Sequence, residues 1–187
     1  MKIVIYKGSI DFLNSSLLVL PLYSDEKPLK EIAGFVDWRL HNFISHMMMK
    51  QLINYTDEEK ILLFPNKNLL IERFLLTALR QRSEMTKDFF RDYISEVIAT
   101  VDKLKLYDFA IPLPRFISHN FSLEEICSIF LKEIARKKSK DEHEHLFNKI
   151  FLYIETKDEL KDLASALKGL DHHLPINMNV EIMNPEF

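Results

Sequence analysis

Cysteine is nearly absent from this 187-residue chain, glycine is scarce, and no long hydrophobic run occurs. The single cysteine, Cys127, excludes an intramolecular disulfide and any zinc site built from several cysteines. The three glycines are Gly8, Gly34 and Gly169, where average usage of about 7% would give about 13. Glycine-built phosphate loops are correspondingly missing: no Gly-x-Gly-x-x-Gly and no Walker-type loop occurs, nor do His-Glu-x-x-His or Gly-x-Ser-x-Gly. The run from Leu17 to Leu22 contains Pro21 and falls far short of the roughly 20 residues needed to cross a bilayer. Lys and Arg number 25 against 28 Asp and Glu, a net charge of −3, so there is no basic excess to draw nucleic acid or an anionic membrane. No nucleic-acid or membrane partner is expected. The N-terminal Met1 to Tyr6 lacks a cleavable leader's pattern and turns polar by Lys7, which with the lone thiol predicts a cytoplasmic location.

What is present is ordinary for a globular protein, 47% hydrophobic and 28% charged, and predicts one domain over 1–187. Lys2 to Tyr6 and Ser16 to Leu22 are continuous apolar runs, as in strands covered on both faces. Their connection of about nine residues is too short for a helical crossover, so the two are antiparallel or unpaired. A helical region starts near Pro28 and resumes near Asp37, with Leu40, Phe43, Ile44, Met47, Met48 and Leu52 on one predicted buried face. Lys60 to Phe64 and Leu69 to Leu76 flank Pro65-Asn66-Lys67-Asn68 as a hairpin. A long helix follows from Met85 to Lys105, its stripe running from Phe89 and Phe90 to Leu104.

The second half alternates: strand Asp108 to Leu113, helix Leu123 to Arg136, strand Lys149 to Ile154, helix Lys157 to Lys168. Ser122 with Glu125 and Thr156 with Glu159 are capping boxes that start the two helices. Gly169 fits a left-handed position just past the last helix, and Val180 to Met183 suits an edge strand. Alternation of this kind implies right-handed crossovers and parallel pairing, while the hairpin makes the sheet mixed. The expected fold is a three-layer α/β/α domain with a mixed sheet of six to seven strands.

One segment is recognisable. Asp11-Phe12, the run Leu17 to Leu22, Ser24-Asp25-Glu26-Lys27-Pro28-Leu29 and Ala33-Gly34-Phe35-Val36-Asp37-Trp38-Arg39-Leu40, with Ile44-Ser45 beyond, resemble the N-terminal domain of the cytosol (leucyl) aminopeptidase family. The likeness is to its stand-alone bacterial versions. The resemblance implies a macro-domain-like fold and a non-catalytic role in assembly or regulation, with a homo-oligomer or a separately encoded protein as partner. The family's catalytic domain binds its metals within an Asn-Thr-Asp-Ala-Glu-Gly-Arg-Leu segment. Nothing of that kind is found here, so peptidase activity is carried over to no residue. Related domains also show a Gly-Leu-Gly turn where this chain reads Phe74-Leu75-Leu76-Thr77-Ala78-Leu79.

Candidate sites are few. Asp141, Glu142, His143, Glu144 and His145, with His172 and His173, carry the ligand types of a Zn or Mn site. Consecutive residues of a charged loop rarely converge on one ion, so a solvated loop is the simpler reading and no metal or cofactor is expected. Cys127 lies on the apolar stripe of its helix, as a core residue rather than a nucleophile, and the Met47-Met48-Met49 run reads mainly as gap-filling core. In parallel α/β sheets ligands gather beyond the carboxyl ends of the strands. That rule gathers Arg80, Arg82, Arg115 and His119 near one rim, where they suit a phosphate or carboxylate. Trp38 reads as an anchor between helix and sheet, with Arg39 pairing Asp37 or another carboxylate, though both are also residue types common at partner interfaces. The leading expectation is a non-catalytic association domain; the alternative is a module binding a nucleotide or ADP-ribose at the arginine rim.

Overall fold

The computed structural model describes residues 1–55, 59–65, 69–117, 122–140, 148–171 and 179–184. Twelve elements build three layers: β1 (Lys2–Lys7), β2 (Leu18–Tyr23), α1 (Glu31–Arg39), α2 (Phe43–Met49), β3 (Lys60–Leu63), β4 (Phe74–Leu79), α3 (Lys87–Lys103), β5 (Asp108–Ile111), α4 (Leu123–Lys140), β6 (Lys149–Ile154), α5 (Lys157–Asp171) and β7 (Asn179–Met183). The strands form one sheet in the order β3-β4-β2-β5-β6-β1-β7. Among the described residues only β3 runs antiparallel, to β4; the other pairings are parallel.

Strand β1 lies between β6 and β7, with β5 and β6 separating it from β2, so the short connection joins unpaired strands. The central strands are apolar on both faces because both are covered: all six residues of β2 and of β4 are buried. Leu18, Leu20 and Leu22 pack with Ile32, Val36, Ile44 and Met48 of α1 and α2. Val19, Leu75 and Ile111 pack on the opposite side with the stripes of α3, α4 and α5.

The long helix α3 holds the expected stripe of Phe90, Tyr93, Ile94, Val97, Ile98 and Val101. Both capping boxes form. The Ser122 N–H donates to Glu125 Oε2 at 2.9 Å and the Glu125 N–H to Ser122 Oγ at 3.4 Å; the Thr156 N–H reaches Glu159 Oε2 at 2.9 Å and the Glu159 N–H reaches Thr156 Oγ1 at 3.1 Å.

Several boundaries differ from the sequence reading. The second hairpin strand runs over β4 rather than Leu69 to Leu76, and β5 stops at Ile111 before Pro112, which has no N–H for a ladder. Helix α4 extends beyond Arg136. Helix α5 passes through Gly169, which does not adopt a positive φ. The helical region expected to start near Pro28 and resume near Asp37 runs through Asp37 and breaks instead at His41 and Asn42, which take φ of 55° and 62°, ending α1 and re-aiming α2. Phe43 and Leu52 are therefore exposed, while Ile44 and Met48 are buried. Asp37 fixes the corner, its buried carboxylate accepting from the Ser45 N–H at 3.0 Å and from the Ser45 hydroxyl.

Pro21 sits in the middle of the sheet, an unusual place for a residue without an N–H. The Leu18 N–H is bonded on the β4 side, to Arg73 O, and Leu17 O accepts from Ala110 on the β5 side. Strand alternation therefore turns the Pro21 nitrogen toward β5. There the ladder has ended, since β2 and β5 pair at Leu18 and Ala110 alone. The two strands part toward their carboxyl ends, and the short 3-10 turn Leu113–Phe116 follows β5.

Candidate cleft at the carboxyl rim of the sheet

Arg115 occupies this parting. Its side chain is only 3% exposed, and a buried guanidinium needs partners on several sides. Nη2 donates to Glu26 Oε2 at 2.6 Å, and Nη1 donates to Glu31 Oε2 at 2.8 Å and to Lys30 O at 3.1 Å. Among the described residues its Nε has no acceptor. The Tyr23 hydroxyl donates to the Arg115 carbonyl at 3.3 Å. Arg82 completes the cluster, Nη2 standing 3.7 Å from Glu26 and the guanidinium 4.7 Å from the Tyr23 ring centre. Burial, the largest influence, raises the Tyr23 pKa against the lowering effect of the two arginines.

The two carboxylates on Arg115 differ. Glu26 is buried and also accepts the Lys30 N–H at 2.9 Å. Glu31 is 47% exposed in its side chain and opens α1 with φ of 50°, a left-handed conformation that costs a non-glycine residue about 1 kcal/mol. Glu31 also belongs to a cleft of about 400 Å³ with Lys7, Gly8, Ile32, Phe35, Tyr153 and Glu155. This cleft lies where β1 and β6 end and α1 begins. Desolvation and the nearby Glu31 charge raise the Glu155 pKa, opposed by a hydrogen bond with the Ile32 backbone and by Arg115. Phe35 supplies apolar surface, Tyr153 is buried and stacked on Tyr6, and Lys7 supplies a cation.

Of the residues expected at the rim, Arg82 and Arg115 come together. Arg80 lies apart, in a small depression with Gln81, Glu84, Met85 and Phe89. His119 lies outside the described residues, as do Asp141, Glu142, His143, Glu144, His145, His172 and His173. Among the described residues no three His, Cys, Asp or Glu side chains are grouped to hold a metal, and no helix is long and apolar enough to cross a membrane. Cys127 is a core residue, fully buried, its thiol pushed up to about 12 by burial first and Glu124 second.

Trp38 is no anchor. It is 61% exposed, with the Arg39 guanidinium 4.7 Å above its ring and 5.2 Å above Phe35. Arg39 pairs with Asp11, not Asp37. The reason is Asp37 itself, which faces inward onto α2 and leaves the next residue facing out. Trp38, Phe43, Leu63, Phe64, Pro65 and Leu69 line a groove of about 500 Å³. Sequence reasoning missed Glu26, Glu31 and Glu155; the visible signal was Glu155, directly after the strand predicted over Lys149 to Ile154, and Glu26, four residues after Leu22, while Glu31 carried none.

No family model matches the chain, and no curated protein does. Solved structures do. The Oceanobacillus iheyensis macrodomain with ADP aligns at a TM-score of 0.68 and 12% identity over 89% of this chain and 90% of its own. The Trypanosoma brucei macrodomain in complex with ADP aligns at 0.66 and 15%, over 88% of this chain and 68% of its own. The macrodomain of Thermus aquaticus DarG aligns at 0.58 and 8%, over 82% and 99%. The chain thus has the macrodomain fold, a three-layer α/β/α sandwich. The macro-like part of the sequence expectation holds, and these neighbours are macrodomains rather than aminopeptidase domains.

Proposed function

We propose that this protein is a small-ligand binding module for a nucleotide-type ligand, ADP-ribose being the type, held in the cleft between Lys7, Glu31, Phe35, Tyr153 and Glu155. The observation that carries this reading is the cleft's position beyond the carboxyl ends of parallel strands and against the start of α1, where α/β folds collect ligands. Phe35, part exposed at the cleft, offers a face for a base to stack on. Glu155 offers an acceptor for ribose hydroxyls, and Lys7 and Arg115 the positive charge for phosphate. Two structural neighbours carry ADP by name, which supports this ligand class. Calorimetric titration with ADP-ribose tests it: saturable one-to-one binding is expected, and folded protein that gives neither heat nor a rise in Tm overturns it.

The Trp38 groove favours a second reading, association with another copy of this chain. Trp38, Phe43 and Phe64 are each at least half exposed on a shared groove beside β3, whose outer edge has no partner strand among the described residues. Such surface is characteristic of contact sites. Native mass spectrometry of the wild type and Trp38→Ala decides it: a dimer that the variant loses supports this reading, and a wild-type monomer rejects it.

A further inference from the structure

Arg115 holds two carboxylates that are not equivalent. Glu26 is tied on both oxygens, to Arg115 and to the Lys30 N–H, and is buried with Arg115. Glu31 reaches Arg115 from the side of the cleft, is half exposed, and makes no other ion pair among the described residues. Its backbone is held at positive φ at the first residue of α1, a helix whose N-cap, Lys30, makes no side-chain capping bond. Strain of this kind at a cleft lip marks a conformation maintained by its surroundings, and the contact at hand is the Arg115 ion pair.

Charge points the same way. Arg82 and Arg115 carry two positive charges, Glu26 and Glu31 two negative ones, so the cluster is neutral as it stands. Without the Glu31 carboxylate these four side chains would keep one net positive charge on a buried fork of donors behind Glu31, with Glu155 the carboxylate remaining in the cleft. Its Nε already lacks an acceptor among the described residues, and Lys7 stands in the same cleft. A desolvated arginine of that kind is a strong phosphate donor. A half-exposed carboxylate, in contrast, is a weakly held partner.

We propose that Glu31 is a built-in occupant of the cleft, its carboxylate holding the place on Arg115 that a phosphate group of the ligand takes when Glu31 swings out. The proposal rests on the cleft being the small-ligand site. It predicts that the wild type binds phosphate groups weakly and that the restraint is Glu31, not a lack of donors.

The test titrates inorganic pyrophosphate and ADP-ribose separately into the wild type, Glu31→Gln and Glu31→Gly. The first variant keeps the side-chain length and removes the charge; the second also accepts the positive φ, which guards against misfolding. Both are expected to bind pyrophosphate at least about tenfold tighter than the wild type, the size of one charge-assisted hydrogen bond regained. The NMR signal of the Arg115 Nε–H is expected to shift on addition. Unchanged or weaker pyrophosphate affinity in both variants overturns the proposal, as does tighter binding that leaves that signal unmoved. Tighter pyrophosphate binding with no ADP-ribose binding by any of the three proteins sustains the role of Glu31 and removes the nucleotide reading. ADP-ribose binding with pyrophosphate indifferent to Glu31 does the reverse.

Discussion

Replacing Arg115 with Met keeps most of the buried side-chain volume and removes the charge that the cluster is built around. Glu26 then stays buried with Oε2 facing a thioether where it had an Nη2 donor at 2.6 Å. Its remaining cation, Arg82, is 3.7 Å away, outside hydrogen-bond reach. Lys30 O and Glu31 lose their donor as well. Breaking a buried ion pair from one side costs about 3–5 kcal/mol. Arg82 offsets part of this, so the low end, about 3 kcal/mol, is expected. At about 2–4 °C per kcal/mol for a chain of this size, Tm falls by about 6–12 °C. Differential scanning calorimetry gives the shift, and urea unfolding with an unchanged slope confirms a loss of stability. The companion is Glu26→Leu combined with Arg115→Met. With no buried charge left unpaired, and only the part-exposed Glu31 and Arg82 losing a partner, the double variant is expected to recover much of the loss. A single variant that loses less than about 1 kcal/mol, or a double variant that loses the sum of the two singles, would refute the buried, mutually dependent pair.

The two helical glycines predict opposite signs. A Cβ on Gly34 would meet Leu29 O at 2.7 Å, a backbone atom that cannot turn aside, so Gly34→Ala is expected to cost about 2 kcal/mol. A Cβ on Gly169 meets nothing within 4 Å, so Gly169→Ala is expected to add about 0.5–1 kcal/mol; thermal unfolding reads both, and equal effects would contradict the packing described. Burial of Cys127 and its raised thiol pKa predict no reaction with a disulfide reagent at pH 8 in native buffer, and one thiol per chain in denaturant. Unfolding lets that thiol ionise near its ordinary pKa of 8.5. Its contribution to stability is therefore full below that value and is lost as pH rises from there toward about 12. Trp38 is the single tryptophan. Its exposure predicts long-wavelength emission freely quenched by acrylamide, and blue-shifted, protected emission from a monomer would show that the indole is packed inside.

Most of the sheet was legible because its signals are local. Lys149 to Ile154 reads as a strand from five consecutive apolar residues, and α3 from a stripe that needs no partner to be seen. The capping boxes span four residues each. What the sequence hid depends on residues far apart or on single backbone angles. The Arg115–Glu26 pair spans 89 positions, so an arginine placed at the rim by its position after a strand is buried in an ion pair that its neighbours in sequence do not show. His and Asn are enriched at positive φ, but at His41 and Asn42 that signal is overlaid by the apolar periodicity on either side; their φ values turn α2 away from the line of α1 and expose Phe43 while leaving Ile44 inside.

Pro21 joins the two levels. It looks like an interruption in an otherwise ideal strand, yet β4 accepts it because its missing N–H falls on the other side. On that other side β2 and β5 separate, and the gap is where Arg115 enters with its carboxylates. A valine at position 21 would carry an N–H facing that gap with no strand to receive it. The alternative is to draw β5 inward and displace the turn that carries Arg115. On this reasoning Pro21→Val, though it suits a strand better by propensity, destabilises the protein and loosens the cluster. Calorimetry together with the NMR signal of the Arg115 Nε–H tests both parts: a variant as stable as the wild type with that signal unmoved would show that the parting of β2 and β5 does not depend on the proline.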